Sequence, residues 1–445
     1  MMNSGQGTMG SALGNGRRAL AEEVPVGYRQ TEVGVIPEEW NAVRLGDLFV
    51  FKNGLNKAKR FFGSGTPIVN YMDVFEHPGI RMKDLSGRVN LSPEEIKNFE
   101  VRLGDVFFTR TSETVEEIGV ASVMLDEPCD TVFSGFVLRA RPRNDQLDDH
   151  YKQYCFDSRA IRDQIVSNAT YTTRALTNGR SLSAVWIAVP PEREQRAIAE
   201  ALSDVDGLLA ALEALIAKKR AVKQAAMQQL LTGKSRLPGF SGTWETKRLG
   251  DIASFFKGSS LSKADLALDG KRRCIHYGEL FTSYGERITE VIHGTDREGI
   301  FFYSIRNDVL MPTSDVTPNG LATASCILAS DIIIGGDVLV IRVSESVLNG
   351  EFLAYAIKIH RDQVMQLVSG TTVFHLYGRD MANFNFAVPS VDEQTAIVSV
   401  LSDMEAEIAA LERRRDKTRA VKQSMMQQLL TGRVRLVEPE LYGEN

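Results

Sequence analysis

"AVKQAAMQQLLTGKSRL" at residues 221–237 returns as "AVKQSMMQQLLTGRVRL" at residues 420–436, 199 positions later. Sliding the chain by 199 residues aligns 189–237 with 388–436 without a gap, and 28 of these 49 positions are identical. The match extends back more weakly, with Arg162-Asp163-Gln164 on Arg361-Asp362-Gln363 and Gly179-Arg180 on Gly378-Arg379. A second anchor, "WNAVRLGD" from Trp40, recurs as "WETKRLGD" from Trp244 at an offset of 204, so the segments between the anchors differ in length. "TRTSET" (Thr109 to Thr114) answers "PTSDVT" (Pro312 to Thr317) in the same way. The chain is therefore a tandem duplication, each half a variable block of roughly 150 residues followed by a near-constant block of about 45.

The constant blocks carry the pattern of long helices. Each opens at Val-Pro (Val189-Pro190, Val388-Pro389), with acidic residues directly after it that suit the positive end of a helix dipole. Each closes at Thr-Gly (Thr232-Gly233, Thr431-Gly432), a C-terminal stop. Ile198, Leu202, Val205, Leu209, Leu212 and Ile216 step by four and three, and Ile397, Leu401, Met404, Ile408 and Leu411 repeat the pattern, which is a coiled-coil seam. Forty residues of helix extend about 60 Å at 1.5 Å per residue.

Charge predicts the direction of pairing. Residues 192–213 hold six acids and two bases, and 218–236 hold six bases and no acid. In the second copy, 392–412 hold six acids and no base, and 413–435 hold eight bases and one acid. Parallel helices would set like charges side by side, whereas antiparallel helices set each acidic half against a basic half. Two unrelated amphipathic helices, each docked on its own domain, would leave the close match between the copies unexplained.

Between the helices lie short β-rich runs such as "GDVFFTR", "FVLRARP" and "DVLVIRV", with single helices such as "EFLAYAIKIHRDQVMQLV". The expected fold class is α+β: two globular mixed α/β domains joined by two long antiparallel coiled-coil helices, with an internal pseudo-two-fold duplication. The expected layout is a disordered tail over 1–27, a first domain over 28–190, a central helix over 191–235, a second domain over 236–389, a C-terminal helix over 390–435 and a tail over 436–445.

Composition excludes several classes. The 445 residues are 43% hydrophobic and 24% charged, with no apolar run long enough for a membrane span. The Gly-rich start "MMNSGQGTMGSALGNG" lacks the apolar centre of a signal peptide, and four scattered cysteines without CxxC spacing fit a reducing cytoplasm. "GQGTMG" satisfies GxGxxG in letters, but no strand precedes it; "TGKS" at Thr232 to Ser235 has Gln228 where a phosphate loop needs glycine. No methyltransferase NPP[FY] tetrapeptide, HExxH or GxSxG occurs, and six histidines are dispersed. Neither catalysis nor a cofactor or metal is expected of this chain.

Basic, hydroxyl-rich loops at equivalent places in both halves are the candidate sites, although the net charge of −5 argues mildly against nucleic acid. In the first half they are Lys52, Lys57, Lys59 and Arg60; Arg110, Thr111 and Ser112; and Thr172, Thr173, Arg174 and Arg180. In the second they are Lys257, Lys263, Lys271, Arg272 and Arg273; Thr313 and Ser314; and Thr371, Thr372, His375 and Arg379. Lysine and arginine neutralise phosphates whatever the sequence, and arginine also grips guanine through two donors. Taken singly, each of these residues reads better as a solvated surface group; the case rests on their recurrence at equivalent places.

"TEVGVIPEEWNAVRLGDL", "VPPEREQRAIAEALSDVD", "LLTGKSRLPGFSGTWETKRLGDI", "VPSVDEQTAIVSVLSDME" and "MMQQLLTGRVRL" together resemble the specificity subunit of type I restriction-modification systems, over about Tyr28 to Leu436. The resemblance implies two target-recognition domains, each reading one half of a split, asymmetric site in double-stranded DNA. It implies that the helices space the half-sites and dock two methyltransferase (modification) subunits, through which restriction subunits join. It also implies a non-catalytic chain acting in the cytoplasm. No base-reading motif is shared across the variable blocks, so the residue roles above stand on their chemistry alone. A protein–protein scaffold with two binding domains on a coiled-coil rod is the alternative.

Overall fold

The two near-constant blocks fold as continuous helices of 39 residues each, α1 (Glu192–Leu230) and α2 (Val391–Leu429). The computed structural model describes residues 24–171 and 173–438; residues 1–23 of the expected N-terminal tail, with "GQGTMG", and 439–445 of the C-terminal tail lie outside the described residues. Both helices start just after the proline predicted to precede them, with Glu192 and Glu194 or Asp392 and Glu393 in the first turn. Both stop short of a glycine at φ +68°, Gly233 and Gly432, a left-handed conformation that ends a helix cheaply only for glycine.

The chain divides into two units, residues 1–209 with 417–445 and residues 210–416. Each unit therefore contains the beginning of one long helix and the end of the other. In the first unit Glu194 pairs with Arg435 and Asp206 with Lys422. In the second, Arg236 pairs with Glu393, Lys223 with Glu405, and Arg220 with Glu412. Partner numbers rise on one helix as they fall on the other, so the helices run antiparallel within each unit, as the charge pattern predicts. Of the seam, Ile198, Leu202, Leu212, Ile216, Ile397, Leu401 and Ile408 are buried, and Val205, Leu209, Met404 and Leu411 half-buried.

The variable blocks share one topology. In the first unit strands β1 (Phe49–Asn53), β2 (Gly79–Ile80), β3 (Val106–Thr109), β4 (Ala121–Met124) and β5 (Val137–Pro142) form a mixed sheet in the order β1-β5-β3-β4-β2, parallel only between β4 and β2. In the second, β6 (Ala253–Lys257), β7 (Arg287–Ile288), β8 (Val309–Pro312), β9 (Ser325–Ile327) and β10 (Val338–Val343) repeat it as β6-β10-β8-β9-β7, parallel only between β9 and β7. All four residues of central strand β3, "VFFT", are buried, as in a strand covered on both faces. Among the described residues no helix is long and apolar enough to cross a membrane.

Each unit packs its sheet against the helix pair. The first core joins Trp40, Phe49, Phe108 and Phe156 to Ile198 and Leu202 of α1 and to Leu429 and Leu430 at the end of α2. The second joins Leu249, Phe352 and Tyr355 to Met227 and Leu230 of α1 and to Ile397 and Leu401 of α2. Burying each such side chain contributes about 1.5–3 kcal/mol. A polar lock accompanies the packing. Fully buried Glu194 accepts the Trp40 indole N–H at 2.8 Å and pairs with Arg435, which also reaches Glu39 at 2.9 Å. Buried Glu393 accepts the Trp244 indole N–H at 3.2 Å and is gripped by two nitrogens of Arg236. Burial works against the Arg435 cation, but its bonds to Glu194 and Glu39 outweigh that and raise its pKa.

The neighbouring glutamines fasten helix to domain. Gln195 accepts the Asp148 N–H at 2.8 Å and donates to the carbonyls of Gln146 at 2.8 Å and Pro190 at 2.9 Å. Gln394 accepts the Asn349 N–H at 2.7 Å and donates to those of Val347 and Pro389. Further along, Asp206 accepts from the Tyr154 hydroxyl at 3.0 Å and from Lys422 at 2.6 Å, and Glu405 takes the Tyr355 hydroxyl at 2.8 Å together with Lys223. Burial, then the adjacent carboxylate, pushes both tyrosine hydroxyls well above their ordinary pKa.

Removing one partner of a buried pair strands the other. Glu194→Ala and Glu393→Ala should each cost about 3–5 kcal/mol, measured as a lowered midpoint in urea unfolding. Gly432→Ala should cost more than Gly233→Ala in the same assay. Both need φ +68°, but a Cβ at 432 would lie 2.5 Å from Pro37, whereas at 233 its nearest neighbour is Trp244 at 3.4 Å. The expected costs are about 2–3 kcal/mol against about 1 kcal/mol.

Candidate nucleic-acid interface

In the first unit the chain leaves β3 at Thr109 and forms a second short strand, Thr111–Ser112. It pairs with Ala175–Leu176, which pairs in turn with Thr170–Tyr171. Arg110 stands between the two strands with its backbone pinned on both sides. Its N–H donates to the Phe136 carbonyl at 3.1 Å, and its carbonyl accepts the Thr177 N–H at 3.0 Å. Its guanidinium makes no hydrogen bond or ion pair among the described residues. Arg174 sits at the hairpin tip beside exposed Thr173, 3.8 Å from exposed Glu113, and the Ser112 hydroxyl lies 3.3 Å from Glu117. Thr172 lies outside the described residues. Arg180 is exposed on the turn of helix Gly179–Ser183, which begins against β1: a Cβ on Gly179 would stand 2.8 Å from Phe51. The fold thus gathers Arg110, Thr111, Ser112, Thr173 and Arg174 on one small sheet, with Arg180 just downstream.

The second unit repeats the frame with other side chains. Thr313 occupies the place of Arg110, donating its N–H to the Asp337 carbonyl at 2.8 Å and accepting the Leu376 N–H at 3.0 Å. Ser314 pairs with His375 across strands Ser314–Asp315 and Phe374–His375. Exposed Thr371 and Thr372 lie in the turn closed by the backbone bonds between Ser369 and His375. The His375 ring stacks on Tyr377, centroids 6.0 Å apart and planes at 17°, and the Arg379 guanidinium lies 5.0 Å over the same tyrosine. Helix Gly378–Met381 begins against Phe255 of β6 as its counterpart does against Phe51, with 2.7 Å from a Cβ at 378 to the Phe255 Cβ. Lys257, at the end of β6, faces Asp337 at 3.6 Å.

Of the remaining candidates, Lys52, Lys57, Arg272 and Arg273 are engaged elsewhere. Lys52 on β1 donates to the Asn98 carbonyl and, at 2.7 Å, to its side-chain oxygen; burial, then Arg139 and Arg141, lower its pKa. Lys57 is paired with Glu95 and lies over Phe61, leaving Lys59 and Arg60 exposed on that turn. Arg272 donates to the Arg297 carbonyl and Arg273 to the carbonyls of Leu268 and Ile292, so both brace neighbouring loops. The backbone of Lys271 bonds to Asp296, and Lys263 is exposed on the turn Lys263–Asp265. Sequence reasoning passed over Tyr377 and two exposed aromatics of the first unit, Phe136 and Tyr171. The alternation in "FHLYGR" was the available signal, since residues 375 and 377 share a face of extended chain.

Exposed guanidiniums, hydroxyls and aromatic faces on short loops supply three ways to hold a nucleic acid: phosphate neutralisation, donors to base edges, and stacking. The model of the type I restriction modification DNA specificity domain matches residues 37–223 and again 241–418. A Methanocaldococcus jannaschii protein named as the type I restriction enzyme MjaX specificity subunit is 23% identical over 430 residues, covering 92% of this chain and 97% of that protein. The type I restriction enzyme MjaVIII specificity subunit of the same organism is 20% identical, covering 90% and 94%. The crystal structure of a type I restriction-modification system S subunit from M. genitalium is similar in fold, with a TM-score of 0.54 at 15% identity over 88% of this chain and 96% of that one. A chain solved in work on complex assembly and conformational transition of the type I R-M system gives 0.56 at 16% identity, over 90% and 99%. With the family's domain present twice and spanning most of its length, this chain belongs to the specificity subunits of type I restriction-modification systems.

Proposed function

We propose that this chain is the DNA-reading, non-catalytic subunit of a cytoplasmic type I restriction-modification complex. Each unit reads one half of a split, asymmetric duplex site, and the two long helices seat two methyltransferase subunits through which restriction subunits join. The observation that carries this reading is the pair of pinned loops. Both units hold the same backbone frame, yet Arg110, Leu176 and Asn178 in one stand where Thr313, His375 and Tyr377 stand in the other. A frame that is constant while the side chains on it differ, from buried Thr313 to exposed Tyr377, suits two readers of two different short sequences.

The net charge of −5 does not oppose this. Acids on the helices are matched to bases on the partner helix, as in Asp206–Lys422, Glu405–Lys223 and Glu407–Lys219, and add little to the outward field. The exposed arginines of the loops remain available to phosphates and base edges, where the attraction is local.

Duplex DNA of random sequence, titrated with the full chain at several salt concentrations, tests the reading. Affinity should fall steeply with salt, and a preferred site of two unlike halves should emerge from the bound fraction. Arg110→Ala or Arg174→Ala should relax one half by about tenfold, and His375→Ala the other. Affinity purification of the tagged chain should bring down a methyltransferase encoded beside it. Binding that ignores salt, together with no methyltransferase, would favour a protein–protein scaffold.

A further inference from the structure

Building on the DNA-reading function, we propose that Tyr377 is a positioning residue that holds Arg379 for two-donor recognition of a guanine in the half-site read by the second unit. Arginine is the side chain best matched to guanine O6 and N7, but its long stem must be ordered before both bonds can form together. Here the ordering is already present. The guanidinium lies 5.0 Å over the Tyr377 ring, and the His375 ring stands nearly parallel to the same tyrosine, with centroids 6.0 Å apart.

A guanidinium seated over a ring spends no N–H donor on a hydrogen-bond acceptor there. Arg379 is 81% exposed, so its donors meet solvent. Asp380 stands 3.7 Å from Nε, and it is itself held by accepting the Tyr377 N–H at 3.3 Å. The aromatic on one side and the carboxylate at Nε leave the two terminal nitrogens as the outward fork. The tyrosine is fixed in turn by its strand-to-helix position, where Gly378 allows the chain to close onto Phe255.

Among the described residues the first unit has no such platform. At the same offset of 199 it carries Leu176, Asn178 and Arg180. The Asn178 side chain is occupied as a helix cap, accepting the Ser181 N–H at 3.0 Å. Arg180 therefore lacks the aromatic support that Arg379 has, and the two arginines, matched in sequence, are not matched in readiness.

Selection from a random duplex library with the full chain, followed by sequencing of the bound DNA, tests the assignment. Tyr377→Phe should keep the wild-type selection, because the ring face is what the guanidinium uses. Tyr377→Ala should lower the guanine preference at one position of one half-site about fivefold or more, and Arg379→Met should remove it, since methionine keeps the stem but has no donor. The other half-site should stay unchanged in every variant, which also reports that the chain is folded. A guanine preference that survives in Arg379→Met overturns the assignment alone. So does uniform weakening on all sequences with a shallower salt dependence, the mark of a phosphate contact. A wild-type chain that selects no sequence overturns the assignment and the DNA-reading function together.

Discussion

A carboxylate buried at the first turn of each long helix is the constraint on which the rest depends. Glu194 and Glu393 are almost completely removed from water, and an ion in that position is tolerable only when paired and hydrogen-bonded. The indole of the unit's own tryptophan supplies one bond, and the arginine that follows the other long helix supplies the charge. Arg236 lies just beyond α1 and serves the start of α2; Arg435 lies just beyond α2 and serves the start of α1. Each copy of the constant block is thus incomplete without the other, since the head of one needs the tail of its twin. That mutual need explains why the segment is written twice with so little divergence, and a single copy would leave its buried carboxylate without the twin's cation.

The helix architecture was legible because it rests on periodicity and charge, which are local properties of the chain. Lys223 does meet Glu405 and Lys422 does meet Asp206, the acid-to-base matching that antiparallel order requires. The anchoring glutamines were visible as identities but not as anchors. Gln164 bonds the backbone of Trp186 through both ends of its amide, and Gln363 does the same to Asn385. A residue that completes another segment's backbone bonding depends on contacts 22 positions away, and no local pattern announces them. Gln195 and Gln394 act over still longer separations.

The candidate sites were half legible for the same reason. A cluster such as "KRR" at Lys271 to Arg273 reads as an exposed positive patch, yet Arg272 and Arg273 spend their donors on carbonyls of neighbouring loops. Lys52 lies in a strand next to Arg139 and is drawn to Asn98. Which cations stay outward is decided by where carbonyls and carboxylates fall in three dimensions. Arg110, Arg174 and Arg180 were indistinguishable from these in the sequence. They differ because the frame around them is satisfied by backbone bonds, which leaves their side chains over.

That division of labour also accounts for how one fold accommodates two different reading surfaces. The bonds that hold the loop after β3 and the loop after β8 run between N–H and carbonyl groups, so they persist whether position 110 or 313 is arginine or threonine. Packing is tight at the glycines beneath, Gly179 on Phe51 and Gly378 on Phe255, where any larger residue would push the short helix away. Side chains above this floor can change without disturbing the core or the helix pair. The long helices have no such freedom, because their polar locks join specific residues across the repeat. Near-identity in one block and divergence in the other are therefore two consequences of the same physics: side-chain bonds hold the first block, and backbone bonds hold the second.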